Sequence, residues 1–173
     1  MFSRWWRRKR QRPDRTKASY ALDELDLKLA RHLADDETLA SGDGLAGGFF
    51  IEAGANDGLT QSNTFVLERD HGWRGLLVEP IPELAKRCRA NRPNAIVEHA
   101  ALVPARFAGT SIEMTFCNLM SQVKGAMKSA AEEADHIRRG KECQNLTPYQ
   151  VSVPAKTLSA ILDAHRIERV DLL

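Results

Sequence analysis

The residues with the most chemistry in them form one string, Glu52-Ala53-Gly54-Ala55-Asn56-Asp57-Gly58, which follows a short apolar run and precedes a helical pattern. Glycines at 54 and 58 let the backbone turn tightly and let a ligand approach it closely, as in the Gly-rich turns of nucleotide-binding βαβ units. Such a turn alone is weak evidence. It is strengthened by Glu79, which ends the next apolar run roughly 20 residues on, where these folds place an acid to accept hydrogen bonds from ribose hydroxyls. The turn lacks the G-x-G-x-x-G pattern, because Asn56 stands where a second glycine would admit a pyrophosphate. Glu52 would repel a pyrophosphate, yet it can hold the ammonium of an amino-acid moiety, directly or through water. A ligand with an ammonium, a ribose and an adenine but no phosphate fits both acids, and S-adenosylmethionine is such a ligand.

The elements that must position these groups follow from periodicity. Phe49-Phe50-Ile51 reads as a first buried strand, Thr60 to His71 as a helix with Thr60 at its N-cap and Gly72 just past its end, and Gly75 to Glu79 as a second strand. Pro82 suits a first helical position, with Leu84, Ala85 and Cys88 on the apolar face of a helix that Asn91 and Pro93 close. Ala95 to Glu98 makes a third strand. This alternation predicts an α/β domain with a mostly parallel sheet. Residues 105–150 interrupt it as an insertion, where Ile112, Met114 and Phe116 alternate as in a half-exposed strand. Ser129 and Glu132 have capping-box spacing ahead of a helix with the apolar stripe Met127, Ala130, Ala131, Ala134 and Ile137. Tyr149, Val151 and Val153 alternate again, Thr157 begins a helix with Leu158, Ile161, Leu162 and His165 on one side, and Arg169 to Leu173 opens a further core strand.

At this point the chain resembles a known family. The stretch FFIEAGANDGLTQSNTFVLERDHGWRGLLVEPIPELAKRCRANRPNA, with the later VPAKTLSAIL and VDLL, is similar to successive segments of the FkbM-type S-adenosylmethionine-dependent methyltransferases over about residues 48–173. The resemblance implies a doubly wound, Rossmann-like class I methyltransferase fold and O-methylation, typically of a hydroxyl on a sugar or secondary metabolite. It also implies that Glu52, Gly54, Asn56 and Gly58, with their neighbours Ala55 and Asp57, line the methionine half of the cofactor, and that Glu79, followed by Pro80, binds the ribose. Ser62 and Asn63, with Thr64, either touch the cofactor or satisfy free N–H groups in a first helical turn. His99 lies near the expected adenine ring and reads more simply as structural, whereas the small Ala100 and Ala101 suit an adenine-lining role. The family continues its next strand into a Ser-Leu-Asp-Val-Glu-Gly-like segment near the methyl group. The chain stops at Val170-Asp171-Leu172-Leu173, so its C-terminal strands are expected to be missing, apolar surface to be exposed there, and the catalytic residues to be unknown. A truncated, catalytically inactive adenosyl-binding or scaffold domain is the alternative, and a nicotinamide-dependent oxidoreductase a third reading.

Composition bounds the rest. The 173 residues suffice for one core, no window approaches a membrane span, and no secretory leader is evident, which makes the cytoplasm the default location. Residues 1–17 hold eight Lys/Arg against Asp14 alone, a net +7, so the remaining chain carries −5 of the overall +2. This divides the chain into a basic flexible tail (1–18), a lead-in helix and linker (19–46) and the methyltransferase-like part (47–173). The tail, with Trp5 and Trp6, suits weak peripheral contact with anionic lipid, although a solvated tail is the simpler reading. The body has no interleaved basic and aromatic pattern for specific nucleic-acid binding. Leu22, Leu25, Leu29 and Leu33 recur at helical spacing, with Asp23 and Glu24 at the start, as a helix that packs on the main domain. Cys88, Cys117 and Cys143 are too scattered for a disulfide framework, and a Cys117/His136/Cys143 metal site has spacings common by chance, so no metal is expected. The expected partner is a small-molecule or glycan acceptor, and nothing here speaks to oligomeric state.

Overall fold

A computed structural model describes residues 18–35, 40–41, 44–45 and 47–173. The basic tail and parts of the Gly-rich linker therefore lie outside the described residues. In chain order, a 3-10 turn (Leu22–Glu24) leads into α1 (Leu25–Ala34), β1 (Ala40–Ser41), β2 (Gly44–Leu45), β3 (Phe49–Ala53), α2 (Phe65–His71), β4 (Arg74–Val78), α3 (Pro82–Asn91) and β5 (Ile96–Glu98). Then follow β6 (Ala101–Leu102), β7 (Ser111–Phe116), β8 (Gln122–Val123), α4 (Ala130–Gln144), β9 (Tyr149–Lys156) and α5 (Leu158–His165).

Strands covered on both faces read as continuous apolar runs, and the runs at 49–51 and 75–78 behave so. They form the parallel sheet β3-β4-β5, with Ile51 opposite Leu76 and Val78 opposite Glu98. On the far side of β3, Leu172 pairs parallel with Phe50 in a single bridge, and Ile51 N–H donates to Leu172 O at 2.9 Å, so the end of the segment expected as a strand lies along the sheet edge at Leu172 without forming a strand of its own. One face of the sheet packs Phe50 and Leu77 against Ala30, Leu33, Leu67 and Cys88. The other packs Ile51, Leu76 and Val78 against Ile161, with Leu158 and Leu162 beside it. Helices thus cover both faces, α1 to α3 on one and α5 on the other. A second, mixed sheet has the order β6-β9-β7-β8, with only β6 and β9 parallel. Among the described residues no helix is long and apolar enough to cross a membrane.

Four local expectations change. The second helix begins at Phe65, not Thr60, because Gln61 takes φ +59° and the N–H groups of Leu59, Thr60, Asn63, Thr64 and Phe65 bond to the side chains of Asp57, Glu52 and Ser62. The lead-in helix buries Asp26, Ala30 and Leu33 while Leu22 and Leu25 stay exposed. Asp26 turns the register: its fully buried carboxylate accepts from Ser19 Oγ (2.6 Å), Tyr20 N–H (2.7 Å) and Leu27 N–H (2.9 Å). The second half of β7 is not half-exposed, since Met114, Thr115 and Phe116 are all buried. Finally, Ser129 caps α4 through Glu132 N–H, but Ala130, Ala131 and Ala134 face solvent. The helix rests instead on Gly140, packed against Cys117, and on His136, whose Nε2 donates to Met120 O at 3.0 Å.

Candidate functional site

The first turn after β3 is built on the end of β4. Gly54 and Ala55 N–H groups both donate to Val78 O, at 2.9 and 3.1 Å, and Glu79 N–H donates to Glu98 O at 3.0 Å, which ties the three strand ends together. Gly54, Asn56 and Gly58 all take positive φ, at +77°, +53° and +81°. Asn is among the few side-chain-bearing residues that tolerate this region, so Asn56 is suited to its backbone conformation. There its N–H donates to Glu79 Oε2 at 2.8 Å. A Cβ on Gly54 would meet nothing within 4 Å, so that glycine serves φ alone. A Cβ on Gly58 would lie 2.8 Å from Arg92 Cγ and 3.0 Å from Cys88 Sγ. Gly58 thus allows close approach to α3 and the residue after it.

Behind the turn runs a polar network. Glu52 Oε2 accepts from Ser62 Oγ (2.9 Å) and Thr64 Oγ1 (2.6 Å), and Oε1 accepts from Asn63 N–H (2.9 Å). Asp57 accepts from Leu59 and Thr60 N–H groups through Oδ1, from Arg87 Nη2 at 2.8 Å through Oδ2, and from Asn91 Nδ2 at 2.7 Å through its carbonyl. Arg92 sits at the centre with no exposed surface. It donates to Gly58 O (3.0 Å), Ser62 Oγ (3.2 Å), Thr64 Oγ1 (3.3 Å) and Glu68 Oε2 (2.7 Å). Its guanidinium carbon also lies 5.4 and 5.1 Å from the ring centroids of Phe50 and Phe65. Burial pushes the neighbouring Cys88 thiol up to about 12, which leaves it an inert packing group.

In front of the turn lies a cleft of about 300 Å³. Gly54, Asn56, Glu79 and Pro80 form its polar side, Ile81, Leu84, Ala100, Ala101 and Leu102 one apolar wall, and Met114, Asn118, Leu119, Ser121 and Val123 of the β7–β8 hairpin the other. Of the sequence-derived candidates, Gly54, Asn56, Glu79, Pro80, Ala100 and Ala101 come together here. Glu52, Ala55, Asp57, Gly58, Ser62 and Asn63 are not among the lining residues. The carboxylates of Glu52 and Asp57 and the hydroxyl of Ser62 are engaged by the turn and the start of α2, and Asn63 N–H donates to Glu52. His99 does not line the cleft either, since its Nε2 donates to Pro80 O at 2.9 Å and fixes that corner.

Among the described residues, Glu79 is the only charged one lining the cleft. Oε1 accepts from Ile81 N–H and Oε2 from Asn56 N–H, each at 2.8 Å, so both oxygens are oriented and each keeps a lone pair free. Burial raises its carboxyl above the ordinary range, opposed by the two N–H bonds. The arrangement can accept hydrogen bonds from vicinal hydroxyls, stack a flat apolar group between two aliphatic walls, and offer backbone at Gly54 and Asn56 to an extended chain. It has no cation for a phosphate. Sequence reasoning missed Arg92 and singled out no individual hairpin residue as part of the site. The hairpin residues sit in the insertion, where only the Met114 alternation was visible, and no local spacing distinguishes Arg92 from the surface arginines before it.

A family model described as the methyltransferase FkbM domain matches residues 52–173. Comparison with curated proteins and with solved structures finds no match.

Proposed function

Since the chain belongs to the FkbM methyltransferase family, we propose that its cofactor is S-adenosylmethionine and that the cleft at the ends of β3 and β4 holds it. The observation that carries this reading is Glu79, an anchored acid standing as the lone charge in a nucleoside-sized, otherwise uncharged cleft. NAD, ATP and other phosphorylated nucleotides would bring anionic charge towards that carboxylate with no compensating cation among the lining residues. An adenosyl sulfonium brings hydroxyls and positive charge.

The residues present fit that group. Glu79 would accept from the ribose hydroxyls, and Gly54 and Asn56 would run along the amino-acid half. Pro80, Ile81, Leu84, Ala100 and Ala101, with Met114 and Leu119 across from them, would enclose the base. Glu52 shapes the loop from behind. When bound, the cofactor supplies an electrophilic methyl group on sulfur. The chain's own contribution is alignment and exclusion of water, since methyl transfer to oxygen is an in-line displacement governed by positioning. We assign the acceptor to hydroxyl compounds, sugars or secondary metabolites, on family resemblance. The fold we read as Rossmann-like class I, supported by the parallel order 172–β3–β4–β5 with helices on both faces.

Calorimetric titration of the full chain tests this. S-adenosylmethionine and adenosine are expected to bind and NAD and ATP not to. Binding of either nucleotide more tightly than the sulfonium cofactor would refute the proposal.

A further inference from the structure

We infer that Arg92 is a positioning residue for the methionine half of the cofactor, an inference that rests on the cofactor reading above. Arg92 follows α3, on the far side of the turn from the cleft, and touches no cleft-lining residue by hydrogen bond. Its effect travels through the turn. The guanidinium holds Gly58 O at 3.0 Å, and Gly58 N–H holds Ala55 O at 2.8 Å, which closes the turn that carries Gly54 and Asn56 into the cleft. A second branch reaches Ser62 and Thr64, whose hydroxyls occupy Glu52 at the base of the same turn.

Charge gives the arrangement its purpose. Glu52 and Glu68 both approach Arg92, at 3.9 and 2.7 Å, and both side chains are largely buried. Without the cation, two acids would share a low-dielectric site and repel, and Glu52 would be driven from the hydroxyls that hold it. An arginine serves where a lysine does not, because the planar fork supplies several donors in fixed directions to Gly58, Ser62, Thr64 and Glu68 at once, while lying between two aromatic rings. The two halves of the cleft are held by different means. Its base side rests on α3 and the β7–β8 hairpin, to which the Arg92 guanidinium makes no hydrogen bond.

The test compares two ligands on the full chain by calorimetry, with Arg92→Lys as the main variant and Glu68→Gln as a milder one that loosens the same guanidinium. In Arg92→Lys we expect the stoichiometry to stay at the wild-type value, S-adenosylmethionine to bind about tenfold more weakly or worse, and adenosine to weaken by clearly less, only as far as the Asn56 N–H bond to Glu79 passes the change on. Glu68→Gln shifts in the same direction by less. A merely structural role would lower the bound fraction of both ligands in proportion to unfolded protein and leave both affinities intact, and that result overturns the inference. Equal weakening of both ligands overturns it too. If wild type fails to bind S-adenosylmethionine, the cofactor reading itself falls. If Arg92→Lys does not fold, Glu68→Gln decides by the same comparison.

Discussion

Replacing Glu79 by Gln probes the cofactor reading with the least disturbance of shape. The carboxylate now orients both oxygens through Asn56 and Ile81 N–H groups at 2.8 Å and offers one further lone pair on each. Gln keeps one acceptor oxygen and turns its amide NH2, a donor, towards the other backbone N–H, so one anchored, charge-assisted bond to a ribose hydroxyl is lost. Such bonds contribute about 1.5–3 kcal/mol, which corresponds to a roughly ten- to hundredfold weaker Kd. Stability moves differently. Because burial raises the Glu79 carboxyl in the folded state, its ionisation opposes folding. The stability this group contributes is fully present below its unfolded value and is lost as pH rises through the folded one. Glu79→Gln does not titrate, so relative to wild type it should gain stability as pH rises from 4 towards neutrality, even as it loses ligand affinity. Isothermal titration with adenosine and with 2′,3′-dideoxyadenosine, alongside urea melts at both ends of that range, reads both effects. The variant should weaken adenosine and leave the dideoxy compound unaffected. Equal affinity of wild type and variant for adenosine would refute the ribose role.

Three further outcomes follow from the geometry. Gly54→Ala should cost only left-handed backbone strain, about 1–2 kcal/mol, whereas Gly58→Ala adds a clash with Arg92 and Cys88 and should cost more in a urea melt. Asp26→Ala should lower stability by about 2–3 kcal/mol, read as a fall in Tm, because it orphans the buried Tyr20 N–H and removes the acceptor for Ser19 Oγ, Ala21 N–H and Leu27 N–H. Burial pushes the Glu98 carboxyl up, but Lys156 at 2.9 Å and His165 at 2.6 Å more than offset it and hold it below the usual range. Its contribution is therefore present above the unfolded value and lost as pH falls through the folded one, so denaturation of Glu98→Gln should show a deficit at neutral pH that closes in acid.

Much of the scaffold was legible because burial of a sheet on both faces imposes long apolar runs. Phe49 to Ile51, Leu76 to Val78 and the α3 face of Leu84, Ala85 and Cys88 all emerged where periodicity put them. Periodicity failed where a single polar group overrode it. Asp26, drawn inward by four donors, rotated the lead-in helix away from Leu22 and Leu25, and the acids Glu52 and Asp57 captured N–H groups that a helix from Thr60 would have used. The Ala stripe of α4 misled for a different reason: alanine is as comfortable in solvent on a helix as in a core.

The same division runs through the site. Composition and spacing alone determined that a Gly-containing turn after one strand and an acid ending the next would meet, because adjacent parallel strands bring their C-terminal ends together whatever follows. Only the tertiary structure decided which acid faces the cleft. Glu52 and Glu79 look equivalent along the chain, yet Glu52 meets the hydroxyls of Ser62 and Thr64 while Glu79 meets two backbone N–H groups and open space. A carboxylate's role is set by how many donors reach it and from which side, and those donors come from residues 10 to 12 positions away for one acid and 2 and 23 positions away for the other.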